Sequence, residues 1–421
     1  MKFKLHSAFP TTLFFVLCLF TGCSPVNTNQ DQRFDDDGHL LALPEKNFSM
    51  EDPGHVKFYV EVSGSMNGFF RNNVATDFKV DVWNIMSYFA QIAPKITILT
   101  NSGEAGIQLS QAVFQKKMNT GAFISSASTR VPIMLETIFR GLNTDNGEVA
   151  VLISDMKYSP VGQAAPEVLL AQYSVDIRNI LARYRQAVSL IGATSDYYDK
   201  QGYCLTPKSP YYFFIIGKEE NVAKMRNYIS TFLSENGHFI DNIENGFDYG
   251  NPKYQFGIPY MCDQMDSEPT FVAYEDEREE VGDTCTINLK IDISDYRWRI
   301  ANPDLLKNAL SVSTSYGSKI KLDNLKIIVS NINDNKIERI AIASVDIKVY
   351  NMPMESDVIE WTLALPDTEY GLFNEFFNDS LGEMDPTTSF SLLNFVQGMF
   401  YGTNLSKKLK PNYILVSKVN P

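Results

Sequence analysis

An apolar, alternating run near residue 60 breaks into Glu61, Ser63 and Ser65 at a spacing of two, which puts a carboxylate and two hydroxyls on one side of a strand end. Two later segments bring oxygens of the same kind. A hydroxyl-rich run supplies Thr129, with Ser126 and Ser128 as rivals, just before a helix opened by Pro132. A continuous apolar run over residues 149–153 ends in Ser154 and Asp155. Carboxylates and neutral hydroxyls, without nitrogen or sulfur, form the hard donor set that Mg2+ or Mn2+ prefers, with water filling the rest of an octahedron. Beyond residue 22 the histidines are His39, His55 and His238, too little material for a histidine-dependent triad or a zinc site.

For these oxygens to meet, their segments must end at one edge of a sheet, and the pattern of the chain provides for that. Residues 57–62 read as a strand. Phe78, Val82, Ile85, Met86, Phe89 and Ile92 recur at helical spacing until Pro94, and residues 96–99 form the next strand. Residues 106–123 are less regular and hold a short edge strand. A helix then carries Ile133, Leu135, Ile138 and Phe139. The run 149–153 is apolar throughout, as expected of a central parallel strand. A helix with Leu169, Tyr173, Ile177, Ile180 and Tyr184, strands at 187–191 and 212–216, and a helix with Val222, Met225, Ile229 and Phe232 complete the series. The expected fold is α/β: a doubly wound, mostly parallel sheet with helices on both faces, whose ligands sit outside the carboxyl ends of the strands. The aromatics at 211–214 read as strand core.

The pattern changes after about residue 236. Residues 237–269 are rich in Gly, Asn, Asp and Tyr and read as an irregular connector. From 270 to 421 strands dominate, at 284–293, 320–329, 337–349, 358–365 and 413–417, and the simplest architecture for them is an all-β, sandwich-like domain. One late helix is expected within it, with Asp385 as N-cap, Pro386 in the first turn, and Leu392, Phe395, Val396 and Met399 facing inward.

The order Glu61-x-Ser63-x-Ser65, then Thr129, then Asp155, each at a strand end or the turn after it, resembles the metal-ion-dependent adhesion site of the von Willebrand factor A family, over residues 55–236. The wording Ser63-Gly64-Ser65-Met66 is close to that of bacterial members. The resemblance implies Ser63 and Ser65 as direct ligands of Mg2+ or Mn2+, Thr129 as a direct or water-mediated ligand, and Asp155 on the far side, often through water. Glu61 departs from the family's aspartate by one methylene. If a displaced water absorbs it, the metal binds and its open position takes a carboxylate from a protein partner. If not, Ser63 and Ser65 bond the backbone of their own turn and the component is structural and metal-free. A metal-assisted hydrolase using Ser63, Asp155 and the ion is a further alternative, although no general base is evident.

Location is read from the first residues. Lys2 and Lys4 precede a short apolar core over residues 13–20, too short for a membrane span of about 20 residues. Thr21-Gly22-Cys23 then resembles a bacterial lipobox, so residues 1–22 are expected to leave as a signal and Cys23 to carry lipid, followed by a polar tether over 23–50. This implies a lipid-anchored protein of the cell envelope. A net charge of −13 argues against nucleic acid as a partner. Cys204, Cys262 and Cys285 show no zinc spacing, and one disulfide with an odd thiol is compatible with them.

Overall fold

The computed structural model describes residues 53–101, 106–123, 129–158, 166–247, 252, 254–256, 273–275, 284–297, 299–300, 302–331, 339–354, 356–364, 373–378, 385–401 and 411–417. The leader, Cys23 and the tether, Ser126, Ser128 and Cys262 lie outside them. Strands β1 (His55–Glu61), β2 (Ile96–Asn101), β3 (Ile107–Leu109), β4 (Glu148–Ser154), β5 (Ala187–Tyr198), β6 (Cys204–Gly217) and β7 (Phe239–Asn245) form one sheet in the order β3-β2-β1-β4-β6-β5-β7. Its centre, β2-β1-β4, is parallel, and every pairing outside that trio is antiparallel.

The apolar run of β4 has two faces to fill. Val149, Val151 and Ile153 enter one core with α1 (Asp77–Ile92), α2 (Gln111–Thr120) and α5 (Glu219–Glu235). Ala150 and Leu152 enter a second core with α3 (Val131–Arg140) and α4 (Pro166–Tyr184). Strand β6 divides in the same way, Tyr211, Phe213 and Ile215 on one side and Tyr212, Phe214 and Ile216 on the other, all fully buried. Burial on both faces is what removes the alternation from these strands.

The structure differs from the sequence reading in several places. Helix α2 occupies part of the stretch expected to be irregular. The strands expected at 187–191 and 212–216 are the paired halves of one long antiparallel hairpin, β5–β6. The supposed connector over 237–269 contains β7, the seventh strand of the sheet, paired with β5. Its polar letters hid it: Asn242 and Glu244 are buried because Asn242 accepts a hydrogen bond from Ser189 and donates to Glu244, and Glu244 is ion-paired to Arg226. The late helix, moreover, begins at Leu392 rather than near Asp385, which instead turns the chain by accepting from the Thr387 N–H and hydroxyl.

Beyond the large sheet come β8 (Tyr254–Phe256), β9 (Ala273–Glu275), β10 (Thr284–Asp292), α6 (Pro303–Ala309), β11 (Leu310–Thr314), β12 (Lys319–Asn331), β13 (Arg339–Tyr350), β14 (Ser356–Leu363), β15 (Phe377–Asn378), β16 (Ser389–Phe390), α7 (Leu392–Tyr401) and β17 (Asn412–Ser417). Two four-stranded sheets, β12-β13-β10-β8 and β11-β14-β17-β9, share one core around the fully buried Trp361. Helix α7 is not part of that core. Leu392, Phe395, Val396 and Met399 are buried as expected, but against α4 and the large sheet. Among the described residues no helix is long and apolar enough to cross a membrane.

Helices α4 and α7 approach closely because Gly398 carries no side chain. A Cβ there would lie 2.6 Å from the Ser174 carbonyl oxygen and 2.7 Å from Ile177 Cβ. Gly398→Ala should therefore destabilise the α/β unit by about 1–3 kcal/mol through overpacking, read as a lower urea midpoint with an unchanged slope.

Candidate functional site

Strands β1 and β4 lie side by side and parallel, with Val60 opposite Ile153, so the chain leaves the sheet at Glu61 and Ser154 on the same edge. Glu61 is fully buried. Its Oε1 accepts the Thr129 hydroxyl at 2.7 Å, and its Oε2 accepts the Ser154 hydroxyl in a short contact. Thr129 is held there because α3 starts two residues later, with Pro132 in its first turn. After Glu61 the chain enters a single 3-10 turn over Gly64–Gly68, and the Ser63 and Ser65 hydroxyls sit 2.8 Å apart. The Tyr197 hydroxyl donates to the Ser65 carbonyl at 2.8 Å and fixes that turn. Gly68 is required beneath it, since a Cβ at that position would lie 2.3–2.5 Å from atoms of the Tyr197 ring.

Asp155 is also fully buried. Its Oδ1 accepts the Lys157 N–H at 3.2 Å, whereas Oδ2 has no hydrogen-bond partner among the described residues. The turn depends on Met156, a fully buried residue at φ 53°, in the left-handed region where a non-glycine residue costs roughly 1–2 kcal/mol. The Ser154 hydroxyl accepts the Met156 N–H at 2.8 Å and so joins this turn to Glu61. A strap from the C-terminal region closes over it. The Ser389 hydroxyl donates to the Asp155 carbonyl at 2.7 Å, the Lys157 ammonium donates to the Asp385 carbonyl at 2.9 Å, and the Ser209 hydroxyl donates to the Pro386 carbonyl.

All five oxygen residues singled out from the sequence, Glu61, Ser63, Ser65, Thr129 and Asp155, thus stand at the carboxyl ends of β1 and β4 and in the turn before α3. Sequence reasoning gave no role to Ser154 or Ser389 and did not place Tyr197 at this cluster. The signal for Ser154 was its place next to Asp155; the pair Tyr197-Tyr198 read as strand core rather than as the lining of a sugar site, and Ser389 had no local signal. His55 belongs to the opposite end of β1, where it contacts Glu148 at 3.0 Å and Thr97 at 2.8 Å. His238 contacts Asp81 at 2.7 Å. Cys204 is an exposed free thiol.

Burial pushes the Glu61 carboxyl up to about 7, and the nearby Asp155 charge adds to the shift against the pull of the Ser154, Ser63 and Thr129 hydroxyls. Burial raises Asp155 as well, offset by the Lys157 ammonium and the Ser65 hydroxyl. Two buried carboxylates without a guanidinium or ammonium bonded to either require a proton or a cation. Among the described residues no three His, Cys, Asp or Glu side chains gather into a metal site; this cluster offers two carboxylates and hydroxyls instead. The orphaned Asp155 Oδ2 beside neutral hydroxyls fits a hard divalent ion.

No protein-family model, curated protein or solved structure matches the chain in comparison searches.

The shift of Glu61 gives a pH signature. A carboxyl whose folded pKa lies above its ordinary value near 4.5 takes up a proton on folding, so its contribution to stability is complete below that value and lost as pH rises through about 7. In chelator, the melting temperature of the wild type should fall across this window. Glu61→Gln should flatten that fall and melt higher than the wild type at pH 8.

Proposed function

We propose that this is a lipid-anchored cell-envelope protein that binds a protein partner through a divalent ion held at the carboxyl edge of its large sheet. The observation that carries the reading is the pair of buried carboxylates, Glu61 and Asp155, set among hydroxyls with Asp155 Oδ2 left without a partner. Ser63 Oγ, Ser65 Oγ, Thr129 Oγ1 and Asp155 Oδ2 would hold Mg2+ or Mn2+, and Glu61 would fix Thr129 from behind. With its ligands mostly neutral, the bound ion supplies residual positive charge and a position for an incoming carboxylate. The extra methylene of Glu61, relative to the aspartate of the von Willebrand factor A pattern, is accommodated in this reading by direct contacts to Thr129 and Ser154.

The anchoring half of the proposal rests on Lys2, Lys4, the apolar residues 13–20 and Cys23. The two small sheets are read as a sandwich because buried side chains of β10 and β13 join those of β14 and β17 in one cluster. A hydrolase gains no specific support, since neither His55 nor His238 is bonded to a residue of the oxygen cluster.

Thermal unfolding of the chain from Ser24 onward, at pH 7.5, tests the metal. Mg2+ or Mn2+ at a hundred times its dissociation constant should add about 2.7 kcal/mol to the chelated protein. Ser63→Ala and Asp155→Asn should each abolish the response. A wild type indifferent to millimolar metal would leave the cluster neutralised by protons and the adhesion reading wrong.

A further inference from the structure

A cleft of about 290 Å3 opens beside Ser65, on the outer side of the oxygen cluster. Its charged lining is Arg71, Lys157 and Lys200 against one acid, Asp199, in a chain whose net charge is −13. Three cations in one small cleft of so acidic a chain are a local inversion of charge.

Two of these cations are held in position by neutral carbonyls, and the Lys157 charge also faces Asp155 and Asp385. Arg71 donates to the Lys200 carbonyl in a short contact, and Lys157 donates to the Asp385 carbonyl at 2.9 Å. Both acceptors are neutral. Asp199 is occupied in the hairpin turn between β5 and β6, where its Oδ1 accepts the Gln201 and Tyr203 N–H groups at 2.9 and 2.8 Å. The remaining walls include the rings of Tyr197 and Tyr198, with Leu205 and Pro386. Aromatic and aliphatic surface beside cations suits a peptide better than a bare inorganic anion, which has no use for apolar contact. The volume is at the lower edge of the range for ligand pockets, about 300–1,000 Å3, so a short segment fits and a folded surface does not.

We propose that this cleft binds an acidic peptide segment with at least two carboxylates, one directed to the oxygen cluster at Ser65 and the next held by Arg71, Lys157 and Lys200. The first contact rests on the metal reading above; the second does not. Cations at the mouth of the site also steer such a segment toward it from solution, an effect that weakens as salt screens the charges.

The experiment is fluorescence anisotropy with a labelled hexa-aspartate peptide, a hexa-asparagine control and inorganic phosphate as competitor, in Mg2+ and in chelator. The wild type should bind the acidic peptide alone, more weakly as salt rises. The double variant Arg71→Gln, Lys200→Gln should lose about tenfold or more, about 1.4 kcal/mol, with a melting temperature near that of the wild type, and Lys157→Met should lose as much while also melting lower, because its ammonium holds the Asp385 carbonyl. Equal binding of the two peptides, affinity unchanged in both variants, or complete displacement by phosphate at low concentration would overturn the proposal. The two readings separate cleanly. Metal stabilisation without peptide binding rejects the cleft alone, whereas peptide binding in chelator that the cation variants abolish, in a protein indifferent to metal, supports the cleft and rejects the ion.

Discussion

Two carboxylates of like charge, both removed from water at adjacent strand ends, are the constraint around which the α/β unit is arranged. Leaving an ion uncompensated in a protein interior costs several kcal/mol even after relaxation, so each neighbour of Glu61 and Asp155 has a role in limiting that cost. Hydroxyls of Thr129 and Ser154 occupy both oxygens of Glu61. The left-handed turn at Met156 is what lets Ser154 also receive a backbone N–H while Asp155 receives the next one. What remains is a buried oxygen, Asp155 Oδ2, and the two paired hydroxyls of Ser63 and Ser65, the part of the arrangement that the proposed ion would occupy.

Much of this was legible in the sequence because the site is built at strand ends, and strand ends are where periodicity breaks. The step from the alternating run of β1 to Glu61, Ser63 and Ser65, and the end of the apolar β4 at Asp155, mark the edge without any knowledge of pairing. The helices α1, α3, α4 and α5 were equally readable, since each turns one apolar stripe to a sheet face. Some of the failures arise because local pattern reports burial of apolar groups and is blind to burial of polar groups that satisfy one another. Strand β7 is the clearest instance, with Asn242, Glu244 and Asn245 all buried. Helix α7 shows the complementary limit. Its inward face was evident, but nothing in a face of Leu392, Phe395, Val396 and Met399 says which core it will join.

The buried pair Arg226 and Glu244, each about 1% exposed, ties α5 to β7 and is supported by a stack of Arg226 on the Phe247 ring. Such a pair adds little net stability over apolar packing but is costly to half-remove. Arg297, just past β10, donates to the Asn227 carbonyl and the Thr231 hydroxyl on α5, so the same helix also meets the chain leaving the smaller sheets. Polar contacts of this kind fix the orientation of elements that apolar packing alone would leave free to slide.

The strap that carries Asp385 and Ser389 has a temporal meaning as well as a spatial one. Asp155 and Ser389 are 234 residues apart in sequence, and α7, directly after the strap, fills a core whose members on α3, α4 and the large sheet are made long before it. A chain emerging in order from the ribosome can pair β1 with β4 early, yet must hold the α4 side of its core uncovered until α7 has been made. Contacts of such long range are formed late and slowly. The strap over the oxygen cluster is therefore added only after residues 385–401 have been made, and a chain cut before Asp385 would leave the Asp155 carbonyl and the Lys157 ammonium without these partners.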